Sequence, residues 1–494
     1  MKKRNFWLTG IAVAAIVSMA LLLGCPTSTD DDPPAAPSPG FYVGSVLTDV
    51  SDQTGANLIE NSLAWLKTKA EANGEYKIVL GADLTVTPVE VIDSAYHVPD
   101  NPRASNIGIM LEVSRLNNAS GATITFTSVS ASDIKKIKLG GKGYLLHVGS
   151  KHPSMGGAEG DADYEGDTEV GPDGNFKSPH TIKTGPVTVV LENIILQGLT
   201  LGKEGAADDN DSPLVSIGGL GAKVIMKKGA RITGNTHSGP DLNNSYNAGA
   251  GVNIRRGVLL MEDGSIDTNH RVAPNDATNA MGGGLASIHY AESLFDLRGG
   301  TVTQNSVKAT AASARGGAIW VHQGSFHMSG GSITNNLTQA ATGAVRGTMG
   351  TWSPPHEVKI TGGTIKNNNA VSTSGTSPRV FAGLEVQEDQ KPIFLDGSPD
   401  LQDPIVLYTD GELFGTIKLG PNFNPSTPVT VDFYTFSDVS QAQGGGWAGL
   451  SLVSWETSSS TALPVSKFKL GKWRDTAQAD ILGSIGTDGK YVAP

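Results

Sequence analysis

The chain has one cysteine, Cys25, in 494 residues. No internal disulfide can form, and zinc sites built on cysteine pairs are excluded. Aromatic residues make up 6% and charged residues 17%, too little charge for a coiled coil or a salt-bridge-laced bundle. Basic residues are the scarcer sign: 37 Lys and Arg face 48 Asp and Glu, for a formal charge of −11. Residues 1–24 hold three of the basic residues and no acid, so the remainder carries 34 against 48, or −14. That surface argues against nucleic acid as a partner, because phosphate binding needs a basic face. His-Glu-x-x-His, a phosphate-binding loop and Gly-x-Ser-x-Gly are all absent, and the ten histidines are scattered. What is abundant is glycine, 62 residues, mixed with Val, Ile and Thr, which points to short strands and tight turns.

The N-terminus reads as a processing signal. Met1–Arg4 is basic, Phe6 to Leu23 is uncharged, and the run ends Leu22-Leu23-Gly24-Cys25. A basic start, an apolar stretch and a small residue before the cut describe a secretory signal; an uncleaved membrane helix is the alternative. The Leu-x-Gly-Cys ending resembles the bacterial lipoprotein box, and the resemblance implies that Cys25 is acylated as the first mature residue. Pro26 to Gly40, with five prolines and Asp30-Asp31-Asp32, reads as an extended, solvated tether.

Asn57 to Asn73 carries one apolar stripe, Ile59, Leu63, Leu66 and Ala70, and predicts a helix. Tyr76 to Leu80 predicts a strand. A helix at the head of a stack of strands would cover its open end.

The centre repeats the pattern Gly-x-[Ile/Val]-x-x-Asn, with the glycine of the first copy, Gly229, one place early. Its asparagines are Asn235, Asn269, Asn305, Asn336 and Asn368, 31 to 36 residues apart, and its apolar residues are Ile232, Ile266, Val302, Ile333 and Ile365. Further columns keep that register: Leu259, Phe295, Phe326 and Val358, then Met261, Leu297, Met328 and Ile360. A third strand family follows Gly/Ala-rich turns, at Gly251 to Ile254, Gly284-Leu285, Gly317 to Val321, Ala344-Val345 and Gly383 to Val386. Three short strands per repeat predict a coil of a parallel β-helix, with each column an apolar ladder and each Asn stacked on the next. A β-sandwich is the alternative, but it has no need of such a period.

The elements Gly316-Gly317-Ala318-Ile319 and Gly330-Gly331-Ser332-Ile333-Thr334-Asn335-Asn336 resemble those of spirochaete β-helical surface lipoproteins. They are similar also to the repeats of polymorphic outer-membrane proteins. The lipoprotein start and the absence of room for a membrane barrel depart from the latter. The fold expected is all-β: a right-handed parallel β-helix, a pectin-lyase-like solenoid, with an N-terminal helical cap and a C-terminal β cap. The expected divisions are 1–24 signal peptide, 25–40 disordered tether, 41–110 helix-containing cap, 111–400 β-helix, and 401–494 irregular coils or cap.

Candidate chemistry is thin. Six places before the repeat Ile/Val, an outward column reads Leu260, Asp296, His327, Lys359. Asp296 beside His327 is a weak catalytic column; a solvated sheet face is the competing reading. The neighbouring strand puts Asn253, Ala286, Trp320, Arg346 and Glu385 in a second outward column. Trp320 and Arg346 would form a ligand face for a sugar or carboxylate, or a local cation–π pair. Asp161, Asp163 and Glu165 before Gly166 match the first half of a Ca²⁺ loop, but position twelve is Pro172 where a bidentate Glu is required; a solvated insertion loop is the other reading. No other cofactor is expected.

The expected function is a non-catalytic, monomeric surface lipoprotein, held to the membrane through Cys25. It would present the segments after the Asn corner, 236–248, 270–281, 306–314, 337–342 and 370–381, to host or matrix glycans or proteins. The expected location is the outer membrane or cell surface, with the periplasmic face as the alternative. A polysaccharide lyase or glycoside hydrolase on the same fold, and a purely structural envelope protein, are the competing functions.

Overall fold

In a computed structural model, the structure describes residues 37–492 apart from 51–54, 56, 93–103, 113–115, 118, 150–186, 200–208, 220, 239–248, 274–279, 290–292, 310–312, 323, 341–344, 347–348, 353–356, 374–382, 387–391, 410–415, 436–450, 458–461 and 474–479. Cys25 and the Asp161, Asp163, Glu165 loop therefore lie outside the described residues.

The described chain is an all-β, solenoid-like stack. Its three long sheets have 13, 9 and 12 strands, and neighbouring strands come from successive repeats. Pairing along the stack is parallel, with antiparallel strands at the ends. The registers reproduce the columns expected from the repeat. In the first sheet, Val224, Leu259, Phe295, Phe326 and Val358 pair in turn, as do Met226, Met261, Leu297, Met328 and Ile360. In the second sheet the ladder runs Leu84, Ile137, Leu196, Ile232, Ile266, Val302, Ile333, Ile365, Leu401. All these side chains belong to one buried core, because period-two alternation puts every second residue inside.

Two corners per repeat demand left-handed backbone. Glycine meets the first at Gly264, Gly300, Gly331 and Gly363, with φ between 68° and 88°. An added Cβ at Gly300 would lie 2.5 Å from the carbonyl oxygen of Gly264 on the preceding repeat, so neither the backbone angle nor the spacing tolerates a side chain. The second corner precedes the repeat Asn and is filled by Gly234, Thr268, Gln304, Asn335 and Asn367.

The ends are closed differently. The helix spans Leu58–Lys69 and buries Leu58, Ile59, Ser62 and Leu66; Ala70, the last residue of the expected stripe, is also buried. Trp65 packs between Phe41 and Tyr76, with ring centroids 5.2 and 5.9 Å away. At the far end, the hairpin of Ser484–Ile485 and Tyr491–Val492 brings the Gly489 carbonyl to the N–H groups of Leu452 and Val453. Beyond residue 401 the first and third sheets continue in parallel register through Ile417–Leu419 and Val453–Trp455, and through Ile405–Thr409, Val429–Thr435 and Phe468–Trp473.

Two readings of the sequence need correction. The segments after the Asn corner do not begin as loops. Thr236–His237, His270–Ala273, Ser306–Ala309, Leu337–Ala340 and Asn369–Ser372 stack in parallel as a fourth sheet. It has its own small apolar core of Ala273, Val307, Ala309, Ala314 and Ala340. Val345–Arg346 also does not belong to the third sheet. It pairs with Ala314–Arg315, while Met349–Trp352 pairs with Ile319–His322. The similarity of Gly343-Ala344-Val345 to Gly317-Ala318-Ile319 is misleading; Arg315-Gly316 corresponds to Arg346-Gly347.

Candidate functional site

The most ordered polar feature is the asparagine spine. Asn269 donates its side-chain N–H to Asn305 Oδ1 at 3.1 Å, Asn305 to Asn336 at 3.0 Å, and Asn336 to Asn368 at 2.9 Å. The other N–H of each reaches back to a carbonyl of the preceding repeat: Ile232, Ile266 and Val302 respectively. Each Oδ1 also accepts the backbone N–H of the preceding Asn. From Asn269 to Asn336 the amides therefore point one way and their polar atoms are all used; Asn235 joins them through its backbone N–H, while its side-chain N–H groups go to the Ser212 and Ala250 carbonyls. The spine starts at Asn210, which donates to Asn235 Oδ1 at 3.0 Å and grips the N–H and carbonyl of Gly143. It ends at Asp403, which accepts both the side-chain and the backbone N–H of Asn368. A carboxylate accepts and cannot pass a donor on, so it is a chemically sensible terminus. Burial pushes the Asp403 carboxyl up, against the hydrogen bonds from Asn368 and the Asn367 backbone.

The second feature is the outer face of the third sheet. Alternation puts polar residues there, yet His147, Ser216, Asn253, Trp320, Glu385 and Asp432 are all buried. At these positions both faces of the sheet are thus removed from solvent, whereas its end strands keep exposed residues such as Glu90 and Lys469. Asp432 accepts the Lys472 N–H at 2.8 Å, where the register of the last pair shifts. At the head of the fourth sheet, buried His237 lies in register beside buried Arg271. The His237 Nδ1–H donates to the Gly249 carbonyl at 2.5 Å, and Arg271 donates to the His237 and Val272 carbonyls. Burial first, then the Arg271 charge, holds the His237 imidazole well below its usual range. Nearby, burial raises the Tyr144 phenol, with Asp211 adding to that and Arg255 and Ser212 opposing it.

On the second sheet, Arg231 makes a two-pronged ion pair with Asp267 of the next repeat, at 2.7 and 2.6 Å. Burial alone would raise the Asp267 carboxyl. Hydrogen bonds from Arg231, Ser265 and Thr233, together with the Arg231 charge, outweigh it and hold the group below the usual carboxylate range.

The residues singled out in the sequence fare unevenly. Asp296 and His327 are direct neighbours in register, but they do not act on each other. Asp296 is paired with Arg298 at 2.6 Å, and His327 Nε2 lies 2.6 Å from Glu357 Oε2. With separate partners whose side chains are about half exposed, Arg298 and Glu357, this column has the character of a solvated face. Trp320 is fully buried and offers no open ligand face. Its register neighbour on the next repeat is Gly350. The cation over its ring is Arg315, 5.5 Å from the centroid; Arg346 stands one repeat on from Arg315 in the small sheet outside. No group of three or more His, Cys, Asp or Glu suited to a metal occurs among the described residues. His237 and Arg271 escape sequence reasoning because they sit where later repeats carry Val307 and Thr338, outside the strict motif.

No family model, curated protein or solved structure matches this chain.

Proposed function

We propose that the chain is a lipid-anchored bacterial surface protein, acylated at Cys25. Its folded part is a right-handed parallel β-helix of the pectin-lyase-like kind, similar to spirochaete surface lipoproteins, with a helical cap at its start and a β cap at its end. It stands on the outer membrane or cell surface and acts by display. Without catalysing a reaction, it offers polar segments to host or matrix glycans or proteins. The observation that carries the reading is constancy of the rungs beside variability of the segments. In the first, second and fourth sheets five repeats pair residue for residue, while the connection from the fourth sheet to the third runs from 8 residues after Ala340 to 14 after His237. A stack that holds its register whatever the length of these segments is suited to vary them for recognition.

The test is binding of the full chain to arrayed matrix glycans and proteins. It is repeated on a variant in which 238–248, 274–279, 310–313, 341–344 and 373–382 are replaced by Gly/Ser turns. Binding lost in the replaced variant, with the melting profile kept, is expected. Binding retained would place recognition elsewhere.

A further inference from the structure

Five large apolar side chains stand exposed among the described residues: Val46, Leu47, Val89, Leu482 and Val492. Three of them are on edge strands at the same end of the stack. Val46–Thr48 is the outermost strand of the first sheet, and Val89–Ile92 the outermost strand of the third, both at the N-terminal end of the stack. Val46 is 66% exposed, Val89 63% and Leu47 44%. Edge strands on soluble proteins are commonly blunted by lysine, proline or inward charge. The strand Val46-Leu47-Thr48 has none of these, and its neighbour across the Gly44 turn, Gly40–Val43, is equally uncharged.

Chain length identifies what meets this end. Fifteen residues separate Cys25 from Gly40, the first residue of the strand that pairs with Val46–Thr48. Fully extended, they reach about 50 Å; as a flexible chain they span roughly 20 Å on average. The other end of the first sheet, 12 strands away in the order of pairing, is about 60 Å further along the stack. The covalent leash therefore keeps the N-terminal end of the stack within about 50 Å of the anchoring surface, while the opposite end has no such tether.

We infer that the N-terminal end of the stack is a lipid-contact surface: Val46, Leu47 and Val89 rest in the interfacial layer of the bilayer that holds Cys25. The inference rests on the lipoprotein reading. Its consequence is orientation, because a stack seated on its end directs its side walls and C-terminal end away from the lipid. Asp49 and Glu90 flank the apolar residues, so a neutral headgroup suits this end better than an anionic one.

The experiment uses the full acylated chain in phosphatidylcholine vesicles that contain acyl-brominated lipid. Val46→Cys, Val89→Cys and Leu482→Cys are each labelled with a polarity-sensitive thiol fluorophore; an acylated Cys25 leaves no other thiol. Emission from positions 46 and 89 is expected to shift to the blue and to be quenched by the brominated lipid, while position 482 shows neither. Emission from 46 and 89 as hydrated as that from 482, on vesicles that float with the protein, overturns the inference and leaves the anchor standing. Quenching between labels on two copies, without quenching by lipid, overturns it in favour of self-association. If the unsubstituted chain takes up label, or fails to float, the lipoprotein reading falls and the inference falls with it.

Discussion

The direction of the asparagine spine makes Asn→Asp costly in its middle and the reverse change nearly neutral at its end. Asn305 gives two hydrogen bonds, to Asn336 Oδ1 at 3.0 Å and to the Ile266 carbonyl at 2.9 Å, and receives two from Asn269, both at 3.1 Å. Asn305→Asp keeps the two received bonds and loses both given ones. It also turns a carboxylate oxygen toward two other oxygens at a position 1% exposed. Two lost bonds at about 1 kcal/mol each, plus the desolvation of groups left facing one another, come to about 3–5 kcal/mol at neutral pH. Asp403→Asn keeps the one oxygen that accepts both bonds from Asn368 and sets the bond from the Asn367 backbone against relief of the upward-shifted carboxyl; it should unfold close to the parent's urea midpoint. Acidification supplies the third arm of the test, because protonating the introduced carboxyl returns one donor and narrows the deficit. Local opening is to be expected in a repeat stack. Hydrogen exchange at Ile266 and Asn336, together with urea titration, is therefore the assay. An Asn305→Asp chain that matches the parent in both would show that the spine is decorative and refute this reasoning.

Three further outcomes are expected. Ile333→Asp buries an unpaired carboxylate between Val302 and Ile365 and should cost several kcal/mol; a mutant that melts like the parent would contradict the register. Thr268 holds φ 54°, an unfavourable angle for a β-branched residue, at a corner where later repeats use Asn335 and Asn367. Thr268→Asn should raise stability by about 1 kcal/mol, read from the urea midpoint. His237 stays neutral in the folded chain, whereas the unfolded chain takes up its proton below pH 6.5. Stability should therefore fall as pH drops through and below that value, by up to about 1.4 kcal/mol per pH unit. His237→Gln should flatten that slope, and an unchanged pH–stability curve would remove His237 as its source.

The repeat was legible because buried ladders leave a strict trace. Ile232 to Ile365 and Leu259 to Val358 are fixed by alternation within a strand and by period between repeats, and both patterns survive in one sequence. The fourth sheet left no such trace. Its strands are four residues or shorter and mix Ser, Thr, Asn and His, and they bury small residues such as Ala309 and Ala340 that carry little apolar signal. Arg346 was misplaced because Gly-Ala-Val resembles Gly-Ala-Ile locally, and only backbone pairing separates the two. Trp320 illustrates a different limit. Alternation correctly puts it on the outer face, but whether an outer face is open depends on tertiary cover, which a local pattern cannot encode. Asp403 was invisible for a third reason: the motif shortens there from Ile365-Lys366-Asn367-Asn368 to Leu401-Gln402-Asp403, so the terminus of the spine no longer matches its members.

The claim that governs function is the anchor, and one measurement reaches it directly. Cells producing the parent and the Cys25→Ser chain are extracted with a phase-separating detergent, and the mature N-terminal peptide of the parent is weighed by mass spectrometry. The account predicts a parent that enters the detergent phase with an acylated Cys25 as its first residue, and a Cys25→Ser chain that leaves that phase. A parent that begins elsewhere with an unmodified Cys25, or a Cys25→Ser chain that partitions as the parent does, would contradict it.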